Sequence, residues 1–192
     1  MCFGLNLRMM ALLFMPLLLA NNAYAQRVVL FSPREAKIEG SIPYAVIGKY
    51  KAEFKVFKGE IDLDQNLQRI RSVVLDIKVN SITSNSPRCD HIIRSGRLLN
   101  SKRYPDIVFH SDKIIHDDEG FKVQGVLGMH GIKKRLIFPF KVAITHDLLD
   151  IQGSWIINRK DFHIIWNRYL DHGGVLVGDD LTVNWVIKVP IN

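Results

Sequence analysis

Seven histidines and two cysteines are the side chains of this sequence with the widest chemical reach, because imidazole and thiolate bind metals, move protons and attack carbonyls. His91, His110, His116, His130, His146, His163 and His172 are spread along the chain, and no two stand at the close helical or hairpin spacing of a metal site. Cys89 and His91 come nearest; they would share one face of a strand, but their segment reads as helical and no second pair is evident. A nucleophile elbow of the GxSxG kind is missing, as is a glycine-rich phosphate loop between a strand and a helix. Cys89 has a histidine near it in sequence, whereas catalytic partners are set by geometry in space. These residues point to a binder before an enzyme, with no metal and no cofactor expected.

Composition narrows the class further. The formal net charge is +7, with Arg8 contributing one of those charges. The basic residues are scattered between apolar strand positions rather than clustered with aromatics, which argues against nucleic acid as partner. Contact with anionic membrane surfaces, or plain solubility, is the milder reading of the charge. Arg8, the apolar run Met9–Ala20 and the small residues of Ala23-Tyr24-Ala25 have the order of a secretory signal peptide, with cleavage after Ala25. The run is shorter than the ~20 residues of a spanning helix. Residues 1–25 are therefore expected to be removed on export to the periplasm or exterior, leaving one domain over 26–192. That mature chain keeps Cys89 alone, so no internal disulfide supports it. A hydrophobic fraction of 47% is enough for a core.

The elements that must carry any site are strands. In RLIFPFKVAI, Leu136, Phe138, Phe140, Val142 and Ile144 share one face, while Pro139 on the other cannot donate to a ladder and so belongs at an edge, a bulge or an outward N–H. Leu75, Ile77 and Val79 repeat the alternation, as do Ile107 with Phe109, Phe121 with Val123, Leu127 and Met129, and Leu181 through Val189. In KAEFKVFKGEIDLD the apolar parity slips at Phe57, which predicts a bulge or sharp bend with Gly59 supplying the backbone freedom. Turns are expected at Asp117–Gly120, Met129–Gly131 and His172–Gly174. One short helix lies within SPRCDHIIRSGRLLNS, capped by Ser86 or Asp90 and ended by Gly96. The pattern is all-β and antiparallel, a barrel of about eight strands with one short helical connection, whose interior is either filled by its own side chains or left open for a small ligand.

The segments Gly59-Glu60-Ile61, Asn80-Ser81-Ile82, Arg94-Ser95, Tyr104-Pro105, Phe109-His110-Ser111, Gly125-Val126-Leu127 with His130-Gly131, and Arg159-Lys160-Asp161-Phe162 follow one another along the chain. Together they resemble the YceI-like family of polyisoprenoid-binding proteins. The order covers nearly all of the mature chain. The sequence departs from the family pattern in the helical connection, with Cys89, Ile92 and Arg97-Leu98-Leu99, and at Gly128.

The resemblance implies a lipocalin-like barrel, commonly periplasmic, that holds an isoprenoid lipid or quinone-like ligand without catalysis. Its lining would then come from Phe54, Val56, Leu75 and Ile77, from Phe109, Phe121 and Val123, from Phe138, Phe140 and Val142, and from Trp155 and Trp185. Arg159 with Asp161 reads as a pair that orients a strand end, and Arg88 and Arg94 as helix charges near the mouth. The competing reading is an envelope protein-interaction module with a filled barrel.

Overall fold

The structure, a computed structural model, describes residues 27–44, 48–64, 69–145, 147–167 and 177–191. The expected signal peptide, His146 and the His172–Gly174 turn lie outside the described residues. In chain order the strands are β1 (Arg27–Phe31), β2 (Ala36–Tyr44), β3 (Gly48–Phe54), β4 (Phe57–Leu63), β5 (Ile70–Lys78), β6 (Ile82–Thr83), β7 (Asp106–Asp117), β8 (Gly120–Met129), β9 (Ile132–Ile144), β10 (Leu148–Asn158) and β11 (Asp180–Pro190). One α-helix, α1 (Pro87–Arg94), lies between β6 and β7, and short 3-10 turns occupy Val79–Ser81 and Arg159–Phe162.

All neighbours are antiparallel, in the order β1-β4-β5-β7-β8-β9-β10-β11-β2-β3-β6. β3 and β4 stand near opposite ends of that order yet are separated by only Lys55 and Val56 in sequence. The bend there turns the sheet back on itself, and the result is a lipocalin-like barrel. About eight strands are expected and eleven are present among the described residues. The difference comes from the bend, which splits one strand into β3 and β4, and from the short additions β1 and β6.

The bend lies where the parity slip at Phe57 predicts it, but Gly59 plays another part in it. A Cβ on Gly59 would lie 1.9 Å from the Phe31 ring, its cross-strand neighbour, so glycine is there for the close approach of an aromatic ring rather than for backbone freedom. Pro139 is also accounted for. The β9–β10 ladder runs from Ile144–Leu149 to Lys141–Gln152 and stops, so Pro139 stands beyond its last pair, where a missing N–H costs nothing.

α1 begins at Pro87, with Ser86 in the extended N-cap conformation and proline in the first turn, where its lack of an N–H is harmless. The helix ends at Ser95 rather than Gly96, the Ser95 N–H donating to the carbonyls of His91 and Ile92. Asp90 is a buried residue inside the helix, not its cap. The tight turns at 118–119 and 130–131 use Gly120 (φ 111°) and Gly131 (φ 78°) in the left-handed region.

A capped apolar cavity as candidate functional site

Register divides the barrel interior by height. Leu63, Leu149, Val189 and Ile191 are buried where the described chain starts and finishes, and Val142, Ile144 and Phe121 are partly buried against the core cluster to which those four belong. Toward the other end the inward positions enclose a cavity of about 270 Å³, with Phe140, Ile151, Ile187 and Ile61 around its floor. Ile93, Leu98 and Leu99, from α1 and the turn after it, reach the cavity from its upper rim.

Nine of the expected lining residues border this space: Phe54, Leu75, Ile77, Phe109, Val123, Phe138, Phe140, Trp155 and Trp185. Phe138 is central, its ring 5.3 Å from Phe109, 5.9 Å from Trp155 and 5.3 Å from Trp185. Three positions do not line the cavity. Val56 is in the bend and 54% exposed. Phe121 and Val142 have inward parity but lie at the filled end, where Phe121 packs against Phe140 at 5.6 Å and stacks on His116 at 4.2 Å. Periodicity assigns a face and is silent about height along the strand.

Glycine shapes the wall. Gly153 pairs directly with Trp185 across β10 and β11, and a Cβ there would fall 1.9 Å from the indole. The indole therefore lies flat over the glycine instead of projecting into the space. Aromatic surface is gained for the lining while the volume stays open.

α1 is held over the cavity by two anchors. The Asp90 carboxylate accepts from the Thr83 hydroxyl (3.0 Å) and from the Ser84 N–H (2.7 Å) and hydroxyl (2.6 Å). Burial would raise its pKa, but those hydrogen bonds, with Arg94 3.9 Å away, together hold it below the ordinary carboxylate value. Arg94 in turn donates through Nε to the Ile82 carbonyl at 3.0 Å. The helix charges near the mouth thus separate in role: Arg94 ties α1 to β6, and Arg88 is exposed. Cys89 meets Tyr50 rather than His91. The Tyr50 hydroxyl donates to Cys89 Sγ, and this bond, followed by burial, raises the phenol pKa.

Arg159 does not pair with Asp161. It is 2% exposed, and its guanidinium donates to the carbonyls of Gly178 (2.8 Å), Ile164, Trp166 (3.0 Å) and Val177 (3.4 Å) and to Asp179 (3.1 Å). Those five bonds use all five of its N–H groups. Burial lowers its pKa while Asp179 opposes the shift. Arg159 borders the cavity yet has no donor left for a ligand; it joins the segment after β10 to the approach of β11. Asp161 pairs with Lys134 of β9 at 2.9 Å.

The described histidines form no cluster. His130 Nδ1 is 3.0 Å from the Phe162 carbonyl and its ring is 4.5 Å from Tyr104, while His116 is at the far end on Phe121. Among the described residues no three His, Cys, Asp or Glu side chains converge on a point that could hold a metal.

Comparison with known proteins accords with this geometry. The YceI-like domain profile matches residues 31–189. The chain belongs to the YceI-like family. A UPF0312 protein of Enterobacter sp. (strain 638) is 27% identical over 117 residues, covering 58% of this chain and 61% of that relative. A UPF0312 protein of Staphylococcus aureus (strain N315) is 24% identical over 160 residues, covering 79% and 90%. Among solved structures, Burkholderia cenocepacia BcnA superposes with a TM-score of 0.69 at 19% identity, over 80% of this chain and 96% of that one. A polyisoprenoid binding domain from Saccharophagus degradans, implicated in plant cell wall breakdown, gives 0.64 at 13% identity over 86% and 98%. These two solved structures share the fold of this chain.

The sequence reading missed Asp90 as an anchor and Leu98 and Leu99 as lining. The two leucines stand in the sequence as an apolar pair after the helix, at a departure from the family pattern. Asp90 gave one signal, an acidic residue six positions after the hydroxyl of Ser84.

Proposed function

We propose that this YceI-like protein is an exported, non-catalytic carrier that sequesters a polyisoprenoid or similar amphiphile, such as a quinone or prenyl-lipid, in the capped cavity. The observation that carries the reading is a cavity of about 270 Å³ walled by aliphatic and aromatic side chains, in which the one buried guanidinium has no free N–H. Water in such a space lacks the two to four polar partners it needs, and an engineered apolar cavity of about 150 Å³ stays dry and takes benzene. Hydrocarbon entering it gains ~25 cal/mol for each Å² of apolar surface removed from water. The barrel is not filled to the top, which disfavours the interaction-module alternative. Export to the periplasm or exterior rests on the order of charges and apolar residues in 1–25.

Native mass spectrometry of protein purified from a lipid-containing host tests the reading. The expected result is a recurring adduct of lipid mass that weakens in Phe140→Trp, because the larger ring at the floor takes up cavity volume. A parent protein that carries no lipid and is strongly destabilised by Phe140→Trp would reject the carrier.

A further inference from the structure

β9 and β10 part company halfway along the barrel. Their ladder holds four residue pairs, whereas β10 and β11 pair at eleven positions. Continuing the four-pair register would set Phe138 opposite Trp155 and Ile137 opposite Ile156. The first two do meet inside, rings 5.9 Å apart, at the cavity wall. The second two stand on the outer surface, 44% and 60% exposed. Beyond Lys141 and Gln152 the strands are unpaired, and Pro139 could not donate to a ladder there. Among the described residues, the polar contacts that rejoin this side of the barrel are Lys134 with Asp161 and His130 with the Phe162 carbonyl, while inside it the Phe138 and Trp155 rings face each other across the gap. A slot is left between residues 135–140 and 153–158, about 20 Å long at ~3.3 Å per residue.

The outer face of β9 along this slot reads Lys133, Arg135, Ile137, Pro139, Lys141, all exposed, with apolar residues in the middle and cations on both sides. Arg135 is paired with Asp112. An unpaired edge with apolar lips is an association hazard in water. Against a bilayer the same lips are at home, and flanking lysines are drawn to acidic headgroups. We propose that this slot is a lateral portal, through which an apolar chain passes directly between the cavity and an anionic lipid surface, with Ile137 and Ile156 as its lips. The proposal rests on the carrier reading and adds its route. A chain leaving through water would expose its apolar length to solvent, a cost that direct contact with the bilayer avoids. Parting β9 from β10 here breaks no ladder, whereas moving α1 aside breaks the Asp90 and Arg94 anchors.

Bridging the slot tests the portal. The first variant carries Ile137→Cys and Ile156→Cys with Cys2→Ser and Cys89→Ser, linked by a short bis-maleimide. The second carries Tyr50→Cys and Cys2→Ser and is linked through native Cys89, pinning α1 to β3. Each is loaded with the uncharged dye N-phenyl-1-naphthylamine, and transfer is followed to vesicles of phosphatidylcholine with or without phosphatidylglycerol. The slot-bridged protein is expected to bind the dye with unchanged equilibrium affinity but release it to acidic vesicles about tenfold more slowly, while pinning α1 leaves the rate as it was. Unbridged protein should transfer faster to acidic vesicles than to phosphatidylcholine alone. Dye that binds but transfers regardless of the slot bridge, or that slows only when α1 is pinned, overturns the portal and leaves the carrier standing. Equal rates to the two vesicle types overturn the anionic partner. No dye binding in any variant overturns the carrier reading and the portal with it.

Discussion

Leu63 and Leu149 at the filled end of the barrel have 0% exposure, while Leu75, Leu127, Leu136 and Leu181, of the same type and the same inward parity, border empty space. The strands do not change character between the two regions; what crosses them does. At the filled end β1 pairs alongside β4 and buries Val29, and Ile191 follows β11 into the core. At the other end the cross-piece is α1, whose segment contributes side chains only at the rim. Rings that could have filled the middle are held against the wall, as Trp185 is over Gly153. A cavity here is the result of where covering elements end and where glycines stand, on strands that would otherwise pack a solid core.

The sharpest break in that comparison is a leucine truncated at each end. Leu149→Ala removes contacts on every side and leaves a void that close packing cannot refill, an expected loss of about 2–5 kcal/mol. Leu75→Ala enlarges a space that already exists and should cost clearly less than Leu149→Ala. Urea midpoints at unchanged m-value check both. Equal losses would mean that the two ends are packed alike.

How far the sequence reveals this architecture follows from the same contrast. Alternation at Phe138, Phe140 and Val142 identified one inward face and thus the barrel, and the parity slip at Phe57 located the bend that closes it. Phe138 and Val142 could not be told apart, because cavity wall and packed core demand the same apolar residue at the same period; only register against β10 and β11 separates them. Arg159 was misassigned for a related reason. Asp161 is two residues away in sequence, but the 3-10 turn at Arg159–Phe162 sends it to Lys134 and brings Asp179 in from the next strand's approach.

A smaller effect is expected from Gly153→Ala. The new methyl collides with the Trp185 indole, and the open side of the ring faces the cavity. The ring should swing inward and fill space, so stability falls by no more than the ~1–3 kcal/mol of ordinary overpacking while dye affinity drops. Calorimetric titration beside a denaturant curve separates the two readouts. A stability loss with unchanged affinity would place the ring's escape elsewhere than the cavity.

The smallest effect concerns the cap. Asp90 has a folded-state pKa below its ordinary value, so the stability it lends α1 is fully present above the unfolded value of about 3.9 and is lost as pH falls through the folded one. Protonation then removes an acceptor for Thr83 and Ser84, while the filled end, with no part in this anchor, should not respond to it. Amide hydrogen exchange is expected to quicken over Pro87–Arg94 in that acid window while the strands around Leu63 and Leu149 stay protected. In Asp90→Asn the helix should exchange faster at neutral pH and lose most of the acid response. Helix protection that stays flat down to acid pH in the parent protein would show that Arg94 and its bond to the Ile82 carbonyl, rather than Asp90, hold the cap in place.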